Sequence, residues 1–118
     1  MDREQRIERA RALHSQGCNC CQAVVMTYAD KLPIGQADAM NVAAPFGRGL
    51  AGTREVCGCV SGLAMVCGLT GHTADARPLI ERFREEHGDI VCGRLLQAGK
   101  KPCREMVAYA AGLLNDIL

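Results

Sequence analysis

Helix breakers punctuate this chain so often that no regular element has room to grow long. Gly17, Pro33, the run from Pro45 to Thr53, Gly68, Gly71, Gly88, Gly99 and Pro102 divide it into short segments. Between them apolar residues recur at intervals of three and four, and nowhere do apolar and polar residues alternate over several positions. The first pattern marks helices with one buried face; the second would mark strands. The sequence therefore predicts an all-α fold, a compact bundle of six to seven short helices, with residues 1–118 forming a single cysteine-rich domain. A chain of this length buries a core without needing staples.

The segments have recognisable starts and stops. Residues 2–15 read as a charged helix with a narrow stripe of Ile7, Ala10 and Leu13. Asn19, with Gln22 three residues later, is a capping box for a helix over 20–32 that Pro33 closes. A weaker helix covers 36–44, and an apolar one covers 55–68. Pro78 suits the first turn of a helix over 78–87, and Asp89 suits the cap of a short helix ending near Gln97. The last helix, 103–117, has the cleanest stripe: Val107, Ala110, Ala111, Leu114, Ile117 and Leu118. The charged residues of the first helix and of Glu81 to Glu86 read as solvated faces with local ion pairs.

Charge and composition exclude several function classes. Fourteen basic and 13 acidic residues leave a net charge of +1, which gives no electrostatic reason for a nucleic-acid or anionic-membrane partner. With no Trp, 2 Tyr and 2 Phe, stacking platforms for bases lack material. The longest apolar stretch, Val56 to Leu69, falls short of the about 20 residues a membrane span needs. The charged start carries no apolar signal region, so the expectation is a cytoplasmic protein without membrane insertion.

Against that background the eight cysteines are anomalous, at about 7% of the chain. In a reducing compartment thiols persist as core residues, metal ligands or redox groups. The helix map sorts them. Cys20 follows the Asn19 cap, Cys92 lies three residues after Asp89, and Cys103 follows Pro102, so each is expected in a first helical turn. There the unpaired N–H groups and the helix dipole favour a thiolate, which both redox chemistry and metal binding require. Cys57 leaves the glycine-rich loop beside Arg54, a charge that would favour its thiolate. Gly58 and Gly62, four apart, mark either tight helix packing or the approach of a bound group. Cys67 reads as core; Cys59 reads as a small residue in a crowded interface in preference to a second sulfur near Cys57; and Cys18, Cys21, Cys59 and Arg54 are supporting candidates.

Other motifs carry less. Gly47 to Gly52 matches G-x-G-x-x-G but follows no strand, so no nucleotide site is expected. The loop instead lets backbone N–H groups approach the surroundings of Cys57. His14, His72 and His87 each lie near a helix end and read as solvated or capping residues.

Several segments together resemble the C-GCAxxG-C-C family, small cysteine-rich proteins described as redox-active. The carriers are Gly17 to Val24, Gly47 to Gly62, Asp89 to Leu96, and Pro102-Cys103 with the apolar helix behind them. The resemblance implies that Cys20, Cys57, Cys92 and Cys103 are the family's four cysteines. Cys59 departs from it, standing where the pattern has alanine, and Cys18, Cys21 and Cys67 are extras.

The resulting expectation is a redox protein using Cys20, Cys57, Cys92 and Cys103 for thiol–disulfide chemistry or electron transfer with a redox partner. The same four thiolates as the ligand set for zinc or an iron–sulfur cluster are the alternative, though no short paired C-x-x-C spacing supports it. A non-catalytic helical interaction module is the third reading. A homodimer is compatible with all three.

Overall fold

Asp2 and Asn19 each close a capping box, and a helix follows each. Gln5 N–H donates to Asp2 Oδ1 at 2.8 Å and Gln22 N–H to Asn19 Oδ1 at 2.9 Å, with both glutamine side chains reaching back to the cap N–H. The computed structural model describes residues 1–99 and 102–118. These form seven α-helices: α1 (Arg3–Ser15), α2 (Cys20–Thr27), α3 (Gln36–Ala43), α4 (Gly58–Leu69), α5 (Thr73–His87), α6 (Cys92–Ala98) and α7 (Cys103–Asn115). The segment Gly47–Leu50 is coiled too, but Arg48 and Gly49, at φ 55° and 69°, give it the opposite hand. Among the described residues there is no strand, only an isolated antiparallel bridge between Val56 and Val91. No helix among them is long and apolar enough to cross a membrane.

α1 lies along α7 and α2, and α4 packs between α2 and α5. The core they enclose is one cluster built around Tyr28, Phe83, Leu63, Leu113, Leu114, Val24 and Val66. Tyr28 is sealed inside because its hydroxyl donates to the Ala111 carbonyl at 2.7 Å.

Four boundaries differ from the sequence reading. α2 stops at Thr27 rather than Leu32 because Arg6, read as part of a solvated face, is buried and takes the Thr27 carbonyl at 2.8 Å. Its guanidinium also grips Asp30 through two bonds of 2.6 and 2.9 Å and covers the Tyr28 ring, which holds residues 29–31 in a 3-10 turn. α4 begins at Gly58, because Glu55 and Val56 are drawn into extended pairing with residues 91 and 92. α5 begins at Thr73, so Pro78 stands inside it rather than in its first turn; only the Ala74 carbonyl loses its usual donor. α6 begins at Cys92, because Asp89 spends its carboxylate on the N–H groups of Ile90 and Val91 at 2.7 and 3.0 Å.

The glycines of α4 report how close α2 comes. A Cβ on Gly62 would lie 2.9 Å from Val24 Cβ and 3.3 Å from the Cys21 carbonyl. Helix packing thus accounts for the Gly58/Gly62 spacing. Gly68, in the same helix, has nothing within 4 Å of that position. Gly62→Ala is therefore expected to lower stability by about 1–2 kcal/mol, overpacking outweighing the gain in helix propensity. Gly68→Ala should raise it by up to about 1 kcal/mol. Urea unfolding of the two variants checks the contrast.

Candidate functional site

Four helix starts meet at one cavity. Cys20, Cys92 and Cys103 are the first residues of α2, α6 and α7, and Cys57 is the N-cap of α4. Each sulfur therefore sits where backbone N–H groups lack helical partners and the dipole is positive. All four line a cavity of about 340 Å³, together with Cys18, His14, Arg48 and Arg54. The structure thus brings together the four cysteines that the sequence singled out. All eight cysteines are free thiols.

Backbone bonds between distant segments set the geometry. Cys57 N–H donates to the Ile90 carbonyl at 2.8 Å, Cys92 N–H to the Glu55 carbonyl at 2.6 Å, and Gly93 N–H to the Arg54 carbonyl at 3.0 Å. This pairing joins the starts of α4 and α6. It also turns the Arg54 guanidinium onto Cys92, with Nη1 3.7 Å from Sγ, instead of beside Cys57 as the sequence suggested. Gly49 makes the arrangement possible: at φ +69° its missing Cβ would lie 2.5 Å from Arg54 Cα and 2.7 Å from Cys92 Cβ. The glycine-rich loop consequently serves Cys92 more than Cys57. Gly58 does the same service on the other side, since a Cβ there would come within 2.9 Å of the Cys21 nitrogen and 3.1 Å of Cys20 Cβ.

Cys20 is the centre of the thiol network. The thiols of Cys103 and Cys59 act on it most strongly, and His14 Nε2 lies 3.9 Å from its sulfur. These donors, Cys103 foremost, then Cys59, with His14 adding its charge, outweigh burial and push the Cys20 thiol down to about 3. Cys57 is lowered as well, first by the Cys59 thiol and then by the N–H groups of Cys59 and Val60, against the opposing charge of Cys20. Val60 N–H bonds the Cys57 carbonyl at 2.9 Å, so those N–H groups act on the sulfur as a field, not as a formal cap. The thiols of Cys59 and Cys103 are raised, because each keeps its proton directed at a neighbouring sulfur, Cys20 foremost, and burial adds to the effect.

The other cysteines stand back from this chemistry. Cys67 and Cys21 are fully buried, and burial raises both, Cys21 to about 12. Cys18 reaches the cavity, but burial raises it too.

Sequence reasoning missed one member and ranked another too low. Cys59, a supporting candidate favoured as an interface residue, is the thiol that acts on both Cys20 and Cys57. His14, read as solvated, is folded onto Cys20 by the turn at Gly17, whose φ is +109°. The positive-φ glycine between His14 and Cys20 was the available signal. Among the described residues no three His, Cys, Asp or Glu are placed to hold a metal ion together, so the metal-ligand reading of the four cysteines draws no support from the geometry.

A thiolate at Cys20 has a direct consequence. Iodoacetamide should label Cys20 at about pH 5, where ordinary thiols, with pKa about 8.5, are protonated and inert. His14→Gln should slow that acid labelling. Peptide mapping of the alkylated protein reads both.

The sequence profile of one family, described as "Putative redox-active protein (C_GCAxxG_C_C)", matches residues 18–117. No curated protein and no solved structure matches the chain. The profile match takes in all eight cysteines and every helix start at the cavity, and the chain belongs to the C_GCAxxG_C_C family.

Proposed function

We propose that this protein carries out thiol–disulfide exchange, with Cys20 as the attacking thiolate and Cys103 as the resolving thiol. One observation carries the reading: Cys20 and Cys103, each the first residue of its helix, line the same cavity, and the Cys103 thiol is the foremost group that lowers the Cys20 thiol. The attacking group must be a thiolate, and the resolving group must be a thiol held within reach. Cys103 is preferred to Cys59 for resolution because Cys103 is partly exposed and Cys59 is fully buried. Cys57 is the reserve thiolate, and Cys92, held by Arg54, lies on the segment paired with residues 54–57.

Mild oxidation of the reduced protein should remove two free thiols, and peptide mapping should find Cys20 linked to Cys103. Cys20→Ser should bring exchange with a model disulfide down to background. Cys103→Ser should still react once but accumulate the mixed disulfide at Cys20. An unchanged thiol count between oxidant and reductant would overturn the reading. Stoichiometric iron or zinc in anaerobically purified protein would overturn it in favour of the metal alternative.

A further inference from the structure

Arg48 and Arg54 line the cavity with no carboxylate among the described residues to pair with. Arg3, Arg6, Arg11, Arg82, Arg84 and Arg94 each pair with a carboxylate; among the described residues Arg9, Arg77 and Arg104 do not, but they lie outside the cavity lining. Arg48 and Arg54 make no such pair among the described residues, and no Asp or Glu lines the cavity. Both arginines are exposed at the rim and stand on backbone in the left-handed region, at φ 55° and 62°, with Leu50 and Ala51 between them at 72° and 53°; Arg54 Nη1 also lies 3.7 Å from Cys92 Sγ. Side chains rarely adopt that conformation, and such strain collects at functional sites. The rest of the lining includes the apolar Leu95, Leu96 and Met106. At about 340 Å³ the space falls at the lower end of small-molecule sites, which run to about 1,000 Å³.

We propose that Arg48 and Arg54 form an anion subsite that selects small carboxylate-bearing disulfides for exchange at the Cys20 sulfur, an inference that rests on the exchange reading above. A guanidinium matches a carboxylate with two parallel N–H bonds, and the apolar residues accept the methylene stem that joins carboxylate to sulfur. In the first step the Cys20 thiolate attacks one sulfur of the disulfide, a mixed disulfide forms, the original S–S bond breaks, and one small thiolate leaves. In the second, Cys103 gives its proton to that thiolate and its sulfur attacks the Cys20 sulfur. The mixed bond breaks, the second small thiolate leaves and takes a proton from water. The protein is oxidised by two electrons to the Cys20–Cys103 disulfide, and the small disulfide is reduced to two thiols.

The test uses the full reduced chain and three model disulfides: dithiodipropionate (anionic), hydroxyethyl disulfide (neutral) and cystamine (cationic). Each oxidation rate is divided by that compound's rate with free mercaptoethanol, which removes intrinsic reactivity. At low salt the anionic compound should lead the neutral one by about tenfold, with the cationic one last. The preference should fade as added salt screens it. Arg48→Gln should reduce it by about threefold, and Arg48→Gln with Arg54→Gln should abolish it. Equal normalised rates in the unaltered chain overturn the subsite, as does a preference that survives both salt and the double substitution. Failure of all three compounds to oxidise the protein overturns exchange itself, and the subsite with it; reaction without charge preference overturns the subsite alone.

Discussion

The close approach of α2 and α4 governs the rest of the molecule. Two backbones meet at Gly58, where even a methyl group would strike the Cys21 nitrogen and Cys20 Cβ. This contact, and the similar one at Gly62 against Val24, places the first turn of α4 beside the first turn of α2. Helices that met through larger side chains would sit at a separation of about 8–10 Å, too far for their terminal sulfurs to share protons. Small residues at the crossing are thus a condition for the Cys20–Cys59–Cys57 network. The loss of helix propensity at Gly58 and Gly62, about 1 kcal/mol each, is offset by what the contact permits.

A second constraint acts through the left-handed turn. Arg48, Leu50, Ala51 and Arg54 each carry a backbone conformation that costs an L-residue about 1–2 kcal/mol. Hydrogen bonds hold the turn in place: Ala51 N–H to the Pro45 carbonyl at 2.6 Å, Glu55 N–H to Gly49 at 2.8 Å, and the Thr53 hydroxyl to Gly49 and Leu50. Their effect is to deliver residues 54–57 in register with 90–93, so that Cys57 and Cys92 start their helices at the same wall.

Much of this is legible in the sequence, and the exceptions share a cause. The all-α architecture, the Asn19 cap and the first-turn placement of Cys20, Cys92 and Cys103 follow from periodicity and local capping chemistry. What escapes is set by partners distant in sequence. Arg6 reads as a surface charge until Thr27 and Asp30 close on it, 21 and 24 residues away. The residues of the candidate site divide the same way: Cys20, Cys57, Cys92 and Cys103 announce themselves by local position. Cys59 is legible only as a supporting candidate, and His14 becomes a member only through the fold. Arg54 stands out in the sequence, but for the wrong sulfur, because proximity to Cys57 along the chain says nothing about the pairing that turns it to Cys92.

The proton on Cys59 is the reason Cys20, rather than Cys57, is the proposed attacking sulfur. A thiol has one hydrogen to donate, so Cys59 serves Cys20 or Cys57 at any moment, never both. Losing it leaves Cys57 with the N–H groups of Cys59 and Val60, and with the repulsion of a neighbouring anion. Losing it leaves Cys20 with the Cys103 thiol and with His14. Cys20 therefore keeps side-chain stabilisation in either arrangement, whereas Cys57 keeps it in one. The asymmetry arises from where the helices start, since α7 and the end of α1 are brought to Cys20 and neither contributes a donor to Cys57.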